Sequence, residues 1–181
     1  MEKKQHDHQG FVVGFTGRTL LTPAEQQEAE AKTGRPVAKW IHGRDYVKFP
    51  SKEKQELFIT SLLFNWYRAK KQLGADKELI MVEGPLDGFR LEEAGIMNWV
   101  ATLGTTFTPV QRGLLVDAGV NKIRCAYDAD ETLPNGQNPG DDGYEKIKDI
   151  IGNLIELERV ALPYGMDPGS MTVEQIHQTF A

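Results

Sequence analysis

The sequence has a single cysteine, Cys125. One thiol excludes an internal disulfide and fits a reducing compartment. The Cys/His spacing of a structural zinc site is missing too, so no zinc is expected. Apolar runs are short. None approaches the roughly 18 residues that a membrane-spanning helix requires. The opening Met1-Glu2-Lys3-Lys4-Gln5-His6-Asp7-His8 lacks the apolar stretch of a signal peptide. No internal repeat is visible. An overall positive charge is absent as well: the formal net charge is −5, which speaks against broad nucleic-acid binding. Cys125 sits in the strand-like Lys122-Ile123-Arg124-Cys125-Ala126-Tyr127, where a buried core thiol is a better reading than a reactive one.

What is present fits a globular protein. The 181 residues, 40% hydrophobic and 26% charged, suit one domain of moderate size with a small annex. Charge is unevenly spread. Residues 32–54 hold Lys32, Arg35, Lys39, Arg44, Lys48, Lys52 and Lys54 against only Asp45 and Glu53. A basic segment beside an acidic remainder suits a protein that holds a polyanion near bound cations.

One stretch organises the chain. Leu79-Ile80-Met81-Val82 runs straight into Glu83, followed by Gly84-Pro85, Asp87 and an amphipathic run closed by Gly95. This pattern predicts a buried parallel strand, a tight turn and a helix. It puts Glu83 at the carboxyl end of the strand and Asp87 at the helix start. Ligands of open α/β sheets bind at that edge. A carboxylate there is either favoured by the helix dipole or part of a site.

The rest divides into a disordered tail over 1–10, an annex with a long helix over 11–73, and an α/β domain over 74–181. Residues 10–20 read as a strand or hairpin punctuated by glycines. Thr22 and Pro23 start a solvated helix that Gly34 ends. Residues 37–42 look extended. A long helix is expected from Ser51 to about Leu73, with Leu57, Phe58, Leu62, Phe64, Trp66 and Tyr67 as core packing. Asn98–Thr102 is a strand, and Thr108 caps a helix that Gly119 stops. Asn121–Tyr127 is the next strand. A helix opens at Asp141 or Asp142 and runs to about Leu157, a last strand covers 159–162, and Thr172 caps a closing helix. The β-α alternation predicts a parallel sheet flanked by helices on both faces.

Glu83, Asp128, Asp130 and Asp167 all fall after predicted strands. In a parallel sheet those ends share one edge, so the carboxylates can converge. Converging carboxylates repel unless cations neutralise them. A hard cation such as Mg²⁺ takes oxygen ligands and keeps waters for a phosphate substrate. Asp128-Ala129-Asp130 suits this, because residues i and i+2 past a strand can face one ion. Asp-x-Asp alone is a common solvated turn; its company at the other strand ends makes it a site.

Four segments carry a resemblance in order: Val82-Glu83-Gly84-Pro85-Leu86-Asp87, Ala101-Thr102-Leu103-Gly104-Thr105, Tyr127-Asp128-Ala129-Asp130, and Leu162-Pro163-Tyr164-Gly165-Met166-Asp167-Pro168. They resemble the TOPRIM motifs of bacterial and phage DnaG-type primases. Upstream, Gly14-Phe15-Thr16-Gly17-Arg18-Thr19-Leu20 and Val37-Ala38-Lys39-Trp40-Ile41 resemble segments of the same enzymes. The resemblance covers about residues 11–170. It implies a TOPRIM, Rossmann-like α/β fold with a small basic annex at the N-terminal side. It also implies Mg²⁺-dependent synthesis (Mn²⁺ can substitute) of short RNA primers from nucleoside triphosphates on single-stranded DNA during replication. A replicative helicase or other primase parts would be partners. The place of action would be a bacterial cytoplasm, or the host cytoplasm for a phage protein.

Residue by residue, the resemblance makes Glu83, Asp128 and Asp130 catalytic, with Asp167 a further metal ligand and Asp87 a supporting acid. Arg18 and Lys39, with Lys52 as a looser match, would contact nucleotide phosphates or the template. The sequence also departs from the pattern. Gly169 stands where primases usually carry a second acid, and His42 replaces an Asn. Residues 21–36 look like an insertion, and the loop after Asp130 is long. The family's zinc-binding module, most of its basic subdomain and its helicase-binding domain have no counterpart, so the expectation is a naturally small protein, one part of a split primase or a truncated form. Two other readings stand beside it: a TOPRIM nuclease using the same metal cluster, and a non-catalytic module that binds nucleic acid or a replication protein.

Overall fold

A computed structural model of the chain describes residues 2–7, 9–37, 40–42, 62–128 and 138–181. The segment Glu78–Phe180 is a layered α/β unit. Its sheet holds β4 (Glu78–Val82), β5 (Trp99–Ala101), β6 (Lys122–Ala126) and β7 (Glu156–Arg159), in the order β5-β4-β6-β7. Every pairing is parallel, with Met81 opposite both Val100 and Cys125. The fold class read from the β-α alternation is therefore the observed one. Strand side chains alternate between faces, and the sequence supplies apolar residues for both. Leu79, Met81, Ile123 and Cys125 face one core, with Leu115, Ile147 and Ile151 of α4 (Pro109–Asp117) and α5 (Pro139–Ile151). Ile80, Val82, Trp99 and Ala126 face the other, with Leu91, Ile176 and Phe180 of α3 (Pro85–Glu93) and α6 (Val173–Phe180). Burying both faces explains why β4 reads as an unbroken apolar run. Cys125 is buried, as expected, and burial pushes its thiol up to about 11.

Local signals set most helix starts. Thr22 accepts from Glu25 N–H at 3.4 Å while the Glu25 carboxylate accepts from Thr22 N–H at 2.7 Å, opening α1 (Pro23–Thr33). Gly34 ends it at φ 65°, and no residue of α1 is buried, so it is the solvated helix expected. Thr108 and Thr172 cap α4 and α6 with Gln111 and Gln175 in the same reciprocal way.

Four expectations are corrected. Residues 2–6 are not a disordered tail: β1 (Glu2–His6) pairs antiparallel with β2 (Val12–Arg18), which pairs with β3 (Trp40–His42). Backbone hydrogen bonding to β2 suffices there, and a polar composition does not oppose it. The long helix expected over 51–73 is not continuous. Residues 51–61 lie outside the described residues, and the remainder holds only α2 (Trp66–Ala69). Phe64 instead exchanges backbone bonds with Ala101 at 2.9 and 3.2 Å, and Asn65 turns left-handed at φ 69°. The apolar stripe serves a sheet edge and a turn rather than one helix face. Helix α5 begins at Pro139, capped by Asn138, and stops at Gly152, where φ is 58°. The last strand therefore comes three residues earlier than expected, at Glu156 rather than Arg159. Its exposed charges break the apolar pattern that marks the other strands. Among the described residues no helix is long and apolar enough to cross a membrane.

Candidate metal centre at the carboxyl edge of the sheet

The carboxyl ends of β4 and β6 open onto one edge, and among the described residues three carboxylates meet there. Asp87, Asp128 and Asp167 each offer an oxygen within 4.8 Å of the other two. Asp128 arrives two residues after β6. Its main-chain carbonyl accepts from Arg159 Nη2 at 3.3 Å. A Cβ on Gly140 would lie 2.1 Å from the same carbonyl oxygen, so only glycine lets α5 start this close to Asp128. Asp167 caps a one-turn 3₁₀ helix, Pro168–Ser170, accepting from Ser170 N–H at 2.6 Å. Asp87 sits in the first turn of α3. Its Oδ2 accepts from Gly84 N–H at 2.9 Å and its Oδ1 from Gly169 N–H at 3.2 Å.

Electrostatics make this a demanding arrangement. Asp87 is buried, and burial drives its carboxyl up to about 7. The charge of Asp128 pushes the same way and Asp167 adds to it, against the two backbone hydrogen bonds. Three oxygen donors that repel one another in a partly dry pocket fit a divalent cation.

The expected site residues fare differently. Asp128 and Asp167 are brought together, but only Asp128 comes from a strand end; Asp167 comes from the 3₁₀ turn eight residues beyond β7. Asp87, expected as a supporting acid, lies in the triple itself. Glu83 follows β4 directly, but its carboxylate is not one of the three that converge; its carbonyl accepts from Leu103 and Gly104 N–H at 3.0 and 3.2 Å. Asp130, Lys39 and Lys52 lie outside the described residues. The backbone of Arg18 ends β2, opposite Trp40, and its side chain is not among those described. Arg159, which holds Asp128 and also reaches Asp141 Oδ1 at 3.2 Å, was not singled out from the sequence. A lone arginine closing a strand of glutamates was the available signal. Gly169, noted as a missing acid, supplies a backbone donor instead.

The chain is similar to known proteins over most of its length. The Toprim domain family matches residues 77–161. The DNA primase of Helicobacter pylori is 35% identical over 124 residues, which is 68% of this chain and 18% of that protein. The DNA primase of Aquifex aeolicus is 32% identical over 172 residues, 93% of this chain and 28% of that one. The crystal structure of the zinc-binding and RNA-polymerase domains of the Aquifex aeolicus primase superposes with a TM-score of 0.72 at 26% identity. It covers 98% of this chain and 38% of that one. The chain thus spans between about a fifth and about three tenths of the length of the curated relatives it matches.

Proposed function

Residues 77–161 are a Toprim domain of the kind carried by DnaG-type primases, and from that premise we propose that this chain is the catalytic portion of a primase. In the reaction, the 3′-hydroxyl of one nucleotide attacks the α-phosphorus of a nucleoside triphosphate paired to a single-stranded DNA template. A phosphodiester bond forms, pyrophosphate leaves, and the hydroxyl proton passes to a base or to solvent. Asp87, Asp128 and Asp167, joined by Asp130, would hold Mg²⁺, and Mn²⁺ would serve in its place. When bound, such ions neutralise phosphate charge and favour both the attacking and the leaving oxygen.

The chain's own residues do the remaining work. Glu83, directly after β4, would serve as an acid–base group or an additional ligand. Gly84 and Gly169 N–H groups orient Asp87, and Arg159 orients Asp128 through its carbonyl. Arg18, Lys39 and Lys52 hold the template and triphosphate by charge. The basic excess over residues 32–54 supports that role. A replicative helicase or further primase parts would complete a primosome in the bacterial or phage-infected cytoplasm.

The observation that carries this reading is the meeting of Asp87, Asp128 and Asp167 at the carboxyl edge of a parallel sheet. The test is primer synthesis by the purified chain with labelled nucleoside triphosphates, Mg²⁺ or Mn²⁺ and a single-stranded template. Metal-dependent primers support it. Cleavage of the template without synthesis replaces it with a nuclease. Binding with neither activity leaves a nucleic-acid-binding module, a reading that Gly169 at the place of the second acid favours.

A further inference from the structure

The loop after β5 gives the site no carboxylate, yet its backbone is held in a costly shape. Leu103 has φ 64° and Gly104 has φ 126°. Only glycine takes such angles freely, so a left-handed leucine persists only where its surroundings impose it. Those surroundings can be named. Thr102 N–H donates to Val82 O at 3.2 Å, and Leu103 and Gly104 N–H both donate to Glu83 O. Thr102 Oγ1 lies 2.6 Å from Gly104 O, 3.4 Å from Val82 O and 2.6 Å from Tyr127 Oη.

Proton counting fixes the direction of these bonds. Gly104 O and Val82 O are carbonyls and can only accept. The one hydroxyl proton of Thr102 goes to them, so Thr102 must accept from Tyr127. The chain of donation runs from Tyr127 to Thr102 to the Gly104 carbonyl. Both hydroxyl-bearing residues are buried, Tyr127 completely, so water cannot replace either bond without opening the fold. The tyrosine cannot swing aside. A Cβ on Gly143 would lie 2.9 Å from the Tyr127 ring and 3.1 Å from Thr105 Cβ, so α5 closes on ring and loop together.

We propose that Tyr127 and Thr102 are positioning residues for Glu83. Their paired hydroxyls keep Leu103 left-handed, which keeps two amides on the Glu83 carbonyl and fixes the direction in which Glu83 leaves β4. The device spans three adjacent strand ends: Thr102 after β5, Glu83 after β4 and Tyr127 after β6. The consequence for catalysis rests on the primase reading; the consequence for the loop does not.

Amide hydrogen exchange, read by NMR on the full chain, tests the loop without any activity. Tyr127→Phe and Thr102→Val are expected to speed exchange at Leu103 and Gly104 about tenfold, the equivalent of one hydrogen bond. Ile123 and Cys125, in the middle of β6, should keep their protection, and Thr102→Ser should behave as the parent. In primer synthesis, Tyr127→Phe is expected to lower kcat about tenfold with KM for the nucleotide unchanged. Unchanged exchange at Leu103 and Gly104 overturns the proposal, and so does a rise spread evenly through the sheet. Localised exchange with parental kcat overturns the link to Glu83. A parent chain that makes no primers defeats the primase reading, while the exchange result still decides the loop.

Discussion

The main-chain N–H of Gly169 donates to Oδ1 of Asp87 at 3.2 Å, tying together residues 82 positions apart. It joins the 3₁₀ turn after Asp167 to the first turn of α3, and so it sets the distance between two carboxylates of the site. A Cβ at residue 169 would lie 2.8 Å from Asp87 Oδ1 and 3.4 Å from Asp167 Oδ1. Gly169→Ala is therefore expected to displace Asp87. Mn²⁺ affinity should fall about tenfold, and stability should drop by about 1–2 kcal/mol. Titration calorimetry and urea unfolding would check both. Parental values in each would mean that Asp87 is not held from this side.

The Asp87 carboxyl, raised from 3.8 to about 7, predicts a pH dependence with a definite sign. The unfolded chain releases this proton near pH 4 and the folded chain only near pH 7. Between those values the folded state holds the extra proton. Stability of the metal-free protein then falls as pH rises through this window, by on the order of 4 kcal/mol at most. Thermal unfolding in chelator from pH 4 to 8 should show the decline, and Asp87→Asn should flatten it. Divalent cations should bind more tightly as pH climbs toward 8, because binding must expel the proton. A flat profile in the parent protein would contradict the burial of a charged Asp87.

Asp128→Ala and Glu83→Ala are expected to bring primer synthesis to background while circular dichroism and melting stay close to the parent. Asp128 and Glu83 lie just beyond β6 and β4, so truncating them leaves both cores intact. Full synthesis by purified Asp128→Ala would remove the metal-site assignment.

Gly88 tests the scaffold under the site. It lies on α3 against the indole of Trp99, and a Cβ there would sit 2.0 Å from the ring. Trp99 is fully buried and also stacks with Phe64. Gly88→Ala must push α3 off the sheet and is expected to cost roughly 3 kcal/mol in urea unfolding. A loss under about 1 kcal/mol would mean that α3 shifts freely, which the position of Asp87 on the same helix would not survive.

Single-strand affinity is expected to fall steeply with salt. Arg18→Ala and Lys39→Ala should each weaken binding and reduce the logarithmic salt slope by about one. Fluorescence anisotropy between low and moderate salt would measure this. A salt-independent affinity would exclude a basic track.

The sequence by itself determined the parallel α/β layering, the burial of β4 and of Cys125, and the strand ends that carry Glu83 and Asp128. Alternating burial and capping chemistry are local properties, and Thr22, Thr108 and Thr172 announce their helices within four residues. The annex was less legible. The pairing of β1 depends on backbone groups of β2 rather than on side-chain composition, and the aromatic stripe at Phe64 and Trp66 fits a bent sheet edge as well as a helix. Only the tertiary structure decided which acids converge. Glu83 and Asp87 are four positions apart, and nothing local says which carboxylate turns toward Asp128. Burial of Asp87 and the Gly169 amide, delivered from the far end of the chain, settle that geometry. The physical reason is that hydrogen bonds to a distant backbone donor leave no periodicity in a sequence, whereas the hydrophobic faces of strands and helices do.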